Sequence, residues 1–274
     1  MFVLKKILFT SFILVIISTT GFAQSAGVAE RFSEHDPTST VRINHQPLSD
    51  YLDLTVLPVG RSYGIMGDER PDTYRASRIK TSKALSPSRF EGGRLFVSAF
   101  AEEHKYFFEA YQNGLENLSN RRSLSTLNKN EQLAFWLNLY NVVVINKIVE
   151  EYPIQKLKNL RSTKRGKQSF WSEKVTTIEG VSLSLRDIER ILFENFDAPE
   201  VAFGLWQGSV GGPALLNYAF TGRNVRRALE MNALEFVNSN RWLRPPTGSR
   251  MKVSKFYQWM QPAFGTSEDH ILMF

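Results

Sequence analysis

From Leu133 to Val149 the chain is apolar nearly all the way round a helical wheel, interrupted by Asn138, Asn141, Asn146 and Lys147. A helix without a polar face has to be surrounded, so the rest of the chain must wrap it. Four polar positions make a bilayer a poor wrapping, since each would need a partner in hydrocarbon. Asn128, with Glu131 three residues on, predicts a capping box at its start, and Pro153 enforces a stop. A chain of 274 residues can bury a core of that kind without staples. It has to, because it contains no cysteine and therefore no disulfide and no lipidation site.

Around this centre Phe96, Phe100, Phe107, Tyr111 and Leu115 recur at helical spacing and predict an amphipathic helix over 95–116. Residues 41–43 read as a short extended piece. Pro47, Leu48, Tyr51, Leu52 and Val56 then predict a helix ended by Pro58. Two apolar runs about Glu179-Gly180 predict a hairpin. Ser184 is positioned to cap a helix whose stripe is Leu185, Ile188, Ile191 and Leu192, and Thr221 to cap another carrying Val225, Leu229 and Phe236. Pro245-Pro246-Thr247-Gly248 predicts a turn before 253–260. No repeat and no linker divides the chain. The expected fold is α+β: a helix-rich single domain over 41–274 with a small antiparallel sheet. Residues 61–94, rich in Gly, Ser, Arg and Pro, read equally as a partner-facing loop and as one laid across the core.

The first 23 residues read as a signal peptide. Lys5 and Lys6 precede an apolar run from Ile7 to Ile17, and small residues lead to a cleavage site after Ala23. The run is shorter than the roughly 18–20 residues that span a bilayer, so the processed chain is expected to be periplasmic or secreted and not transmembrane. Residues 24–40 are polar without periodicity and predict a flexible leader. Without Lys5 and Lys6 the excess of seven positive charges falls to five. Much of it lies in Lys156, Lys158, Arg161, Lys164, Arg165 and Lys167, read as a solvated loop, with an envelope polyanion binder as the sharper alternative. No motif accompanies that charge to suggest nucleic acid.

The ordered blocks Asn130-Glu-Gln-Leu-Ala-Phe-Trp-Leu-Asn-Leu-Tyr-Asn141, Phe170-Trp-Ser, Glu179-Gly-Val-Ser-Leu-Ser-Leu-Arg-Asp-Ile-Glu189, Gly208-Ser-Val-Gly-Gly-Pro213 and Tyr218-Ala-Phe-Thr-Gly222 resemble the family called domain of unknown function 547, over 124–264. The resemblance implies an Asn-Cys pair at the positions of Trp206 and Gln207, a second cysteine at Gly212, and histidines at Arg190 and Ala202. Those residue types imply a thiol nucleophile with a histidine partner, and a papain- or transglutaminase-like fold. Here every one of them is replaced. A carboxamide neither ionises nor attacks as a nucleophile in water, so the resemblance implies a catalytically silent member that keeps its cleft as a binding surface. The expected ligand is an unknown protein or envelope component, with no cofactor, and the candidate binding residues are Asn138, Asn141, Arg190, Gln207 and Ser209.

Each candidate has a plainer role. Asn138 and Asn141 lie one turn apart and read as ligands to loop backbone, or else as the lining of a cleft with Gln207. Ser209 is one residue short of a Gly-x-Ser-x-Gly elbow and reads first as a turn hydroxyl. The alternative is a hydrolase or acyl-transfer enzyme, which needs His35, His45, His104 or His270 within reach. No spacing among these histidines suggests a metal site. Trp206, at the aligned asparagine position, is placed to plug the cleft. Gly208, Gly211 and Gly212 read as a tight turn, without the lysine and spacing of a phosphate loop.

Overall fold

The computed structural model describes residues 27–59, 92–97, 102–153, 160, 169–196, 199–239, 241, 243–247 and 250–264. In chain order its elements are α1 (27–31), α2 (Gln46–Thr55), β1 (Val56–Val59), β2 (Gly92–Leu95), α3 (Glu102–Arg121), α4 (Lys129–Glu150), β3 (Lys174–Ile178), β4 (Val181–Ser184), α5 (Leu185–Asn195), α6 (Val225–Val237), β5 (Leu243–Thr247), β6 (Arg250–Val253), α7 (Lys255–Trp259) and α8 (Gln261–Phe264). The strands form three two-stranded antiparallel sheets. The fold is α+β and helix-rich. The expected signal peptide, residues 61–91 of the Gly/Arg-rich stretch and the basic residues of 156–167 lie outside the described residues.

α4 is the axis of the core. Every residue from Glu131 to Ile145 on it is buried, and α3, α5 and α6 pack around it. By length and composition it could cross a membrane, but 89% of its most apolar window is covered by the protein itself. Asn128 caps it as expected, accepting from Glu131 N at 3.1 Å. Glu131 does not complete the capping box; its carboxylate accepts from Ile43 N at 3.3 Å and pairs with Arg42 at 3.3 Å. That contact holds residues 41–43 against α4 as irregular chain, not as a strand.

Several boundaries differ from expectation for identifiable reasons. The 95–116 helix begins only at Glu102, because residues 92–95 pair with β1, Val56 opposite Leu95 and Val59 opposite Gly92. Phe96 is left exposed between the two, and the helix buries Phe108 and Leu115. α2 ends at Thr55, before Pro58, because the same strand pairing takes over. α6 starts at Val225: in the turn ahead of it Thr221 and Asn224 exchange reciprocal hydrogen bonds of the capping-box kind, and Thr221 O accepts from Val225 N at 2.9 Å. Pro245 and Pro246 sit in β5 at the irregularity between the Arg244–Lys252 and Thr247–Arg250 pairs, so the expected reversal falls between β5 and β6. The β3–β4 hairpin and its exit agree with the sequence. Glu179 and Gly180 both have positive φ, 49° and 76°, as a two-residue hairpin turn demands. Ser184 and Asp187 then form a reciprocal capping box on α5.

The expected flexible leader is a correction. From Gly27 onward it is fixed to the body. Ala29 and Phe32 are buried, and Phe32 meets the Trp136 ring edge-on at 5.0 Å. Asn195 donates to Ala29 O at 2.8 Å, and Gln132 to Glu34 O at 2.7 Å. Two apolar anchors and a backbone held by side-chain amides leave no periodic trace in a sequence.

Candidate functional site

Buried amides place the Gly-rich loop. On α4, Asn141 donates to Gly204 O at 3.0 Å and accepts from Trp206 N at 2.9 Å. One turn earlier Asn138 donates to Phe220 O at 2.8 Å and accepts from Phe220 N at 3.0 Å. Asn232 of α6 closes the frame, donating to Phe203 O at 2.7 Å and Ala214 O at 3.0 Å. Both α4 asparagines therefore spend their amide groups on backbone, the plainer of the roles considered for them. The crevice they border has room for about one water molecule.

Gln207 turns inward. It is 1% exposed, and its Nε2 donates to the Tyr140 hydroxyl at 2.9 Å and to Leu205 O at 3.3 Å. The Tyr140 hydroxyl also accepts from Trp171 Nε1 at 3.0 Å and donates to Glu189 at 2.7 Å. Gln207 Oε1 is buried with no partner among the described residues. The structure does not bring the predicted site residues together on one cleft. Arg190 is half-exposed on α5 and pairs with Glu194 at 3.6 Å, while its neighbour Glu189 is the residue that joins the Gln207 network. Ala202 is fully buried. A Cβ on Gly212 would lie 3.6 Å from that of Gln207, so the positions of the two expected cysteines are neighbours in space.

Immediately after Gln207 the chain reverses. Gly208, at φ 67°, adopts a conformation that glycine favours, and Gly212 N donates to Ser209 O at 3.2 Å. The outer side of the loop borders a hollow of about 190 Å³, lined by Trp206, Ser209, Val210 and Pro213 together with Arg94 and Arg241. Trp206 forms part of its wall and does not fill it. β2 reaches this wall through two glycines: a Cβ on Gly92 would lie 2.5 Å from the Arg241 guanidinium, and one on Gly93 would lie 1.9 Å from Leu215 O.

Ser209 lines this hollow, but no histidine among the described residues does. His45 is buried elsewhere, with Nδ1 2.5 Å from the Tyr111 hydroxyl. Burial lowers its pKa to about 4 and pushes that of Tyr111 up. His35 is exposed, and the side chain of His104 and all of His270 lie outside the described residues. Among the described residues no cluster of three His, Asp or Glu side chains could hold a metal ion.

A model of the family described as "Protein of unknown function, DUF547" matches residues 124–237. This segment is a DUF547 domain. No curated protein and no solved structure matches the chain. The DUF547 segment runs from the turn at Leu124 to the end of α6 and so contains α4, the hairpin, α5 and the whole Gly-rich loop. It ends earlier than the 264 expected from sequence. Arg94 and Arg241 both fall outside it, so the loop side of the hollow belongs to the DUF547 domain and the guanidinium side does not. Sequence reasoning missed both arginines, for which no local pattern exists. It also missed Tyr140, whose hydroxyl on the buried stretch of α4 required partners.

Proposed function

We infer that this chain is a secreted or periplasmic binding protein that carries out no thiol chemistry. In this reading the DUF547 domain is a rigid platform, and the outer face of its Gly-rich loop is the contact surface. The observation that carries it is Gln207. At the position where the resemblance implies the nucleophile stands an amide, buried and hydrogen-bonded to Tyr140, and amides do not attack acyl carbons. The implied base positions support the same reading, since Ala202 is buried core and Arg190 is paired with Glu194. Export rests on Lys5, Lys6 and the apolar run that follows.

Two measurements test it. Purified protein should give no turnover of ester, thioester or peptide substrates and no labelling by a fluorophosphonate; labelling abolished by Ser209→Ala would establish a serine hydrolase instead. Residues 1–23 fused to alkaline phosphatase should deliver active enzyme across the membrane, with the processed chain beginning at Gln24. Retention of the fusion in the cytoplasm would defeat the export half of the reading.

A further inference from the structure

We propose that the free edge of β2 and the hollow beside it form a groove for an extended peptide, added as a further strand with one large apolar side chain in the hollow. This rests on the binding role above and names the partner's chemistry. The register of the β1–β2 ribbon decides which backbone groups are on offer. Phe96 N donates to Thr55 O at 3.0 Å, so these two are a hydrogen-bonded pair, and by alternation so are Leu57 with Arg94 and Val59 with Gly92. Val56 with Leu95 and Pro58 with Gly93 fall between them, and the backbone groups of these four residues point away from the partner strand. On the β1 side Pro58 has no N–H to offer. On the β2 side Gly93 and Leu95 each keep a donor and an acceptor, and among the described residues neither has another hydrogen bond. Such sets, two residues apart on one edge, are the complement of an extended chain.

This edge borders a built wall. Gly93 and Leu95 line the hollow of about 190 Å³ together with Trp206, Ser209, Val210 and Pro213. Gly93 is half-buried and has no side chain, so what it shows the hollow is backbone. No side chain could cover it, since a Cβ there would lie 1.9 Å from Leu215 O. An incoming residue opposite Leu95 sends its side chain to the same face as that of Leu95, where Trp206, Val210 and Pro213 offer apolar surface and room for one large side chain. Arg94 and Arg241 complete the wall with partners of their own, so recognition here is by backbone pairing and apolar contact and not by charge.

The test is amide hydrogen exchange, followed by nuclear magnetic resonance of the isotope-labelled processed protein during titration with a capped heptapeptide in which threonine alternates with valine around a central leucine. In the free protein the amides of Gly93 and Leu95 should exchange about tenfold or more faster than that of Arg94, which is bonded to β1. Saturating peptide should slow both by about tenfold or more. The same peptide N-methylated at leucine and both valines should bind about tenfold more weakly, because it cannot donate to the edge. Exchanging the central leucine for threonine should also cost about tenfold, through the lost apolar contact. No binding, equal binding of the methylated peptide, indifference to the central leucine, or protection at Gly93 and Leu95 that is already present without peptide would each overturn the proposal. So would protection that grows with protein concentration alone, which would make the occupant a second copy of this chain. If no peptide binds and the protein still turns over no acyl substrate, the partner class alone falls. Turnover would overturn the non-catalytic role whatever the titration gives.

Discussion

Gln207 donates to the Tyr140 hydroxyl across 2.9 Å, and that hydroxyl passes its own proton toward Glu189 at 2.7 Å. Tyr140 thereby serves three partners from one oxygen, since Trp171 also donates to it. A phenol on the central helix ties the Gly-rich loop to the turn at Phe170–Ser172 and to α5. The position that the family resemblance marks for reaction has become part of the framework.

Restoring the cysteine alone should restore nothing. Gln207→Cys places a thiol in a closed, mostly apolar site, where burial opposes the thiolate. Because the chain has no other cysteine, reaction with a disulfide reagent such as DTNB reports this position unambiguously. The expected result is negligible reaction in native buffer and one equivalent in urea. Rapid native labelling, or the appearance of esterase activity, would mean that the site is open.

Adding the second cysteine should give a cross-link. With Cβ positions 3.6 Å apart at 207 and 212, the double variant Gln207→Cys, Gly212→Cys meets the roughly 3.5–4.5 Å that a disulfide requires. Gly212 is not among the positive-φ positions, so a side chain is tolerated there. The loop it closes is short, which limits the stabilisation to about 2 kcal/mol, partly offset by the lost Gln207 bond. Mass spectrometry should find two hydrogens missing after mild oxidation. Two free thiols would show that the loop geometry is different.

Tyr140→Phe should cost about 2–4 kcal/mol in urea unfolding. Two buried donors, Trp171 Nε1 and Gln207 Nε2, lose their acceptor, and Glu189 loses a donor. Removing the partner side as well is expected to cost less than the sum, because Tyr140→Phe with Gln207→Leu leaves fewer orphaned groups. Strictly additive losses in that cycle would argue against a coupled network.

Stability should decline on acidification through the range in which a free histidine titrates. His45 has a folded pKa of about 4, below its ordinary value, because burial disfavours the imidazolium. The unfolded chain therefore takes up this proton first. Stability is full above about pH 6.5 and falls as the pH approaches about 4, by roughly 3 kcal/mol from this residue. His45→Gln should flatten that slope. Asp187 acts in a lower window: burial raises its pKa, the bonds from Lys174 and Ser184 outweigh this, and its stabilisation is lost only as pH falls through the lowered value. An unchanged slope in His45→Gln would show that other groups govern the acid limb.

The parts legible in the sequence were those governed by short-range rules. Central burial of α4, the Glu179-Gly180 turn and the Ser184–Asp187 box each follow from periodicity or from residues three or fewer apart. The boundaries that moved were set by distant strand partners: Gly92–Leu95 pairs with a segment more than thirty residues earlier and takes the start of the expected helix. The site divides in the same way. Asn138 and Asn141 were recognisable as polar positions needing partners, but which backbone they grip depends on the tertiary path of 203–220. Arg241 lies beyond the DUF547 segment, and only the fold reveals that it lines one hollow with Arg94.

The docking of Ala29 and Phe32 leaves three residues, Gln24 to Ala26, between the expected cleavage point and the first packed turn. Even fully extended, so brief a leash spans only about 10 Å. Cutting after Ala23 would consequently leave the folded body with almost no N-terminal tail for a protease to grasp.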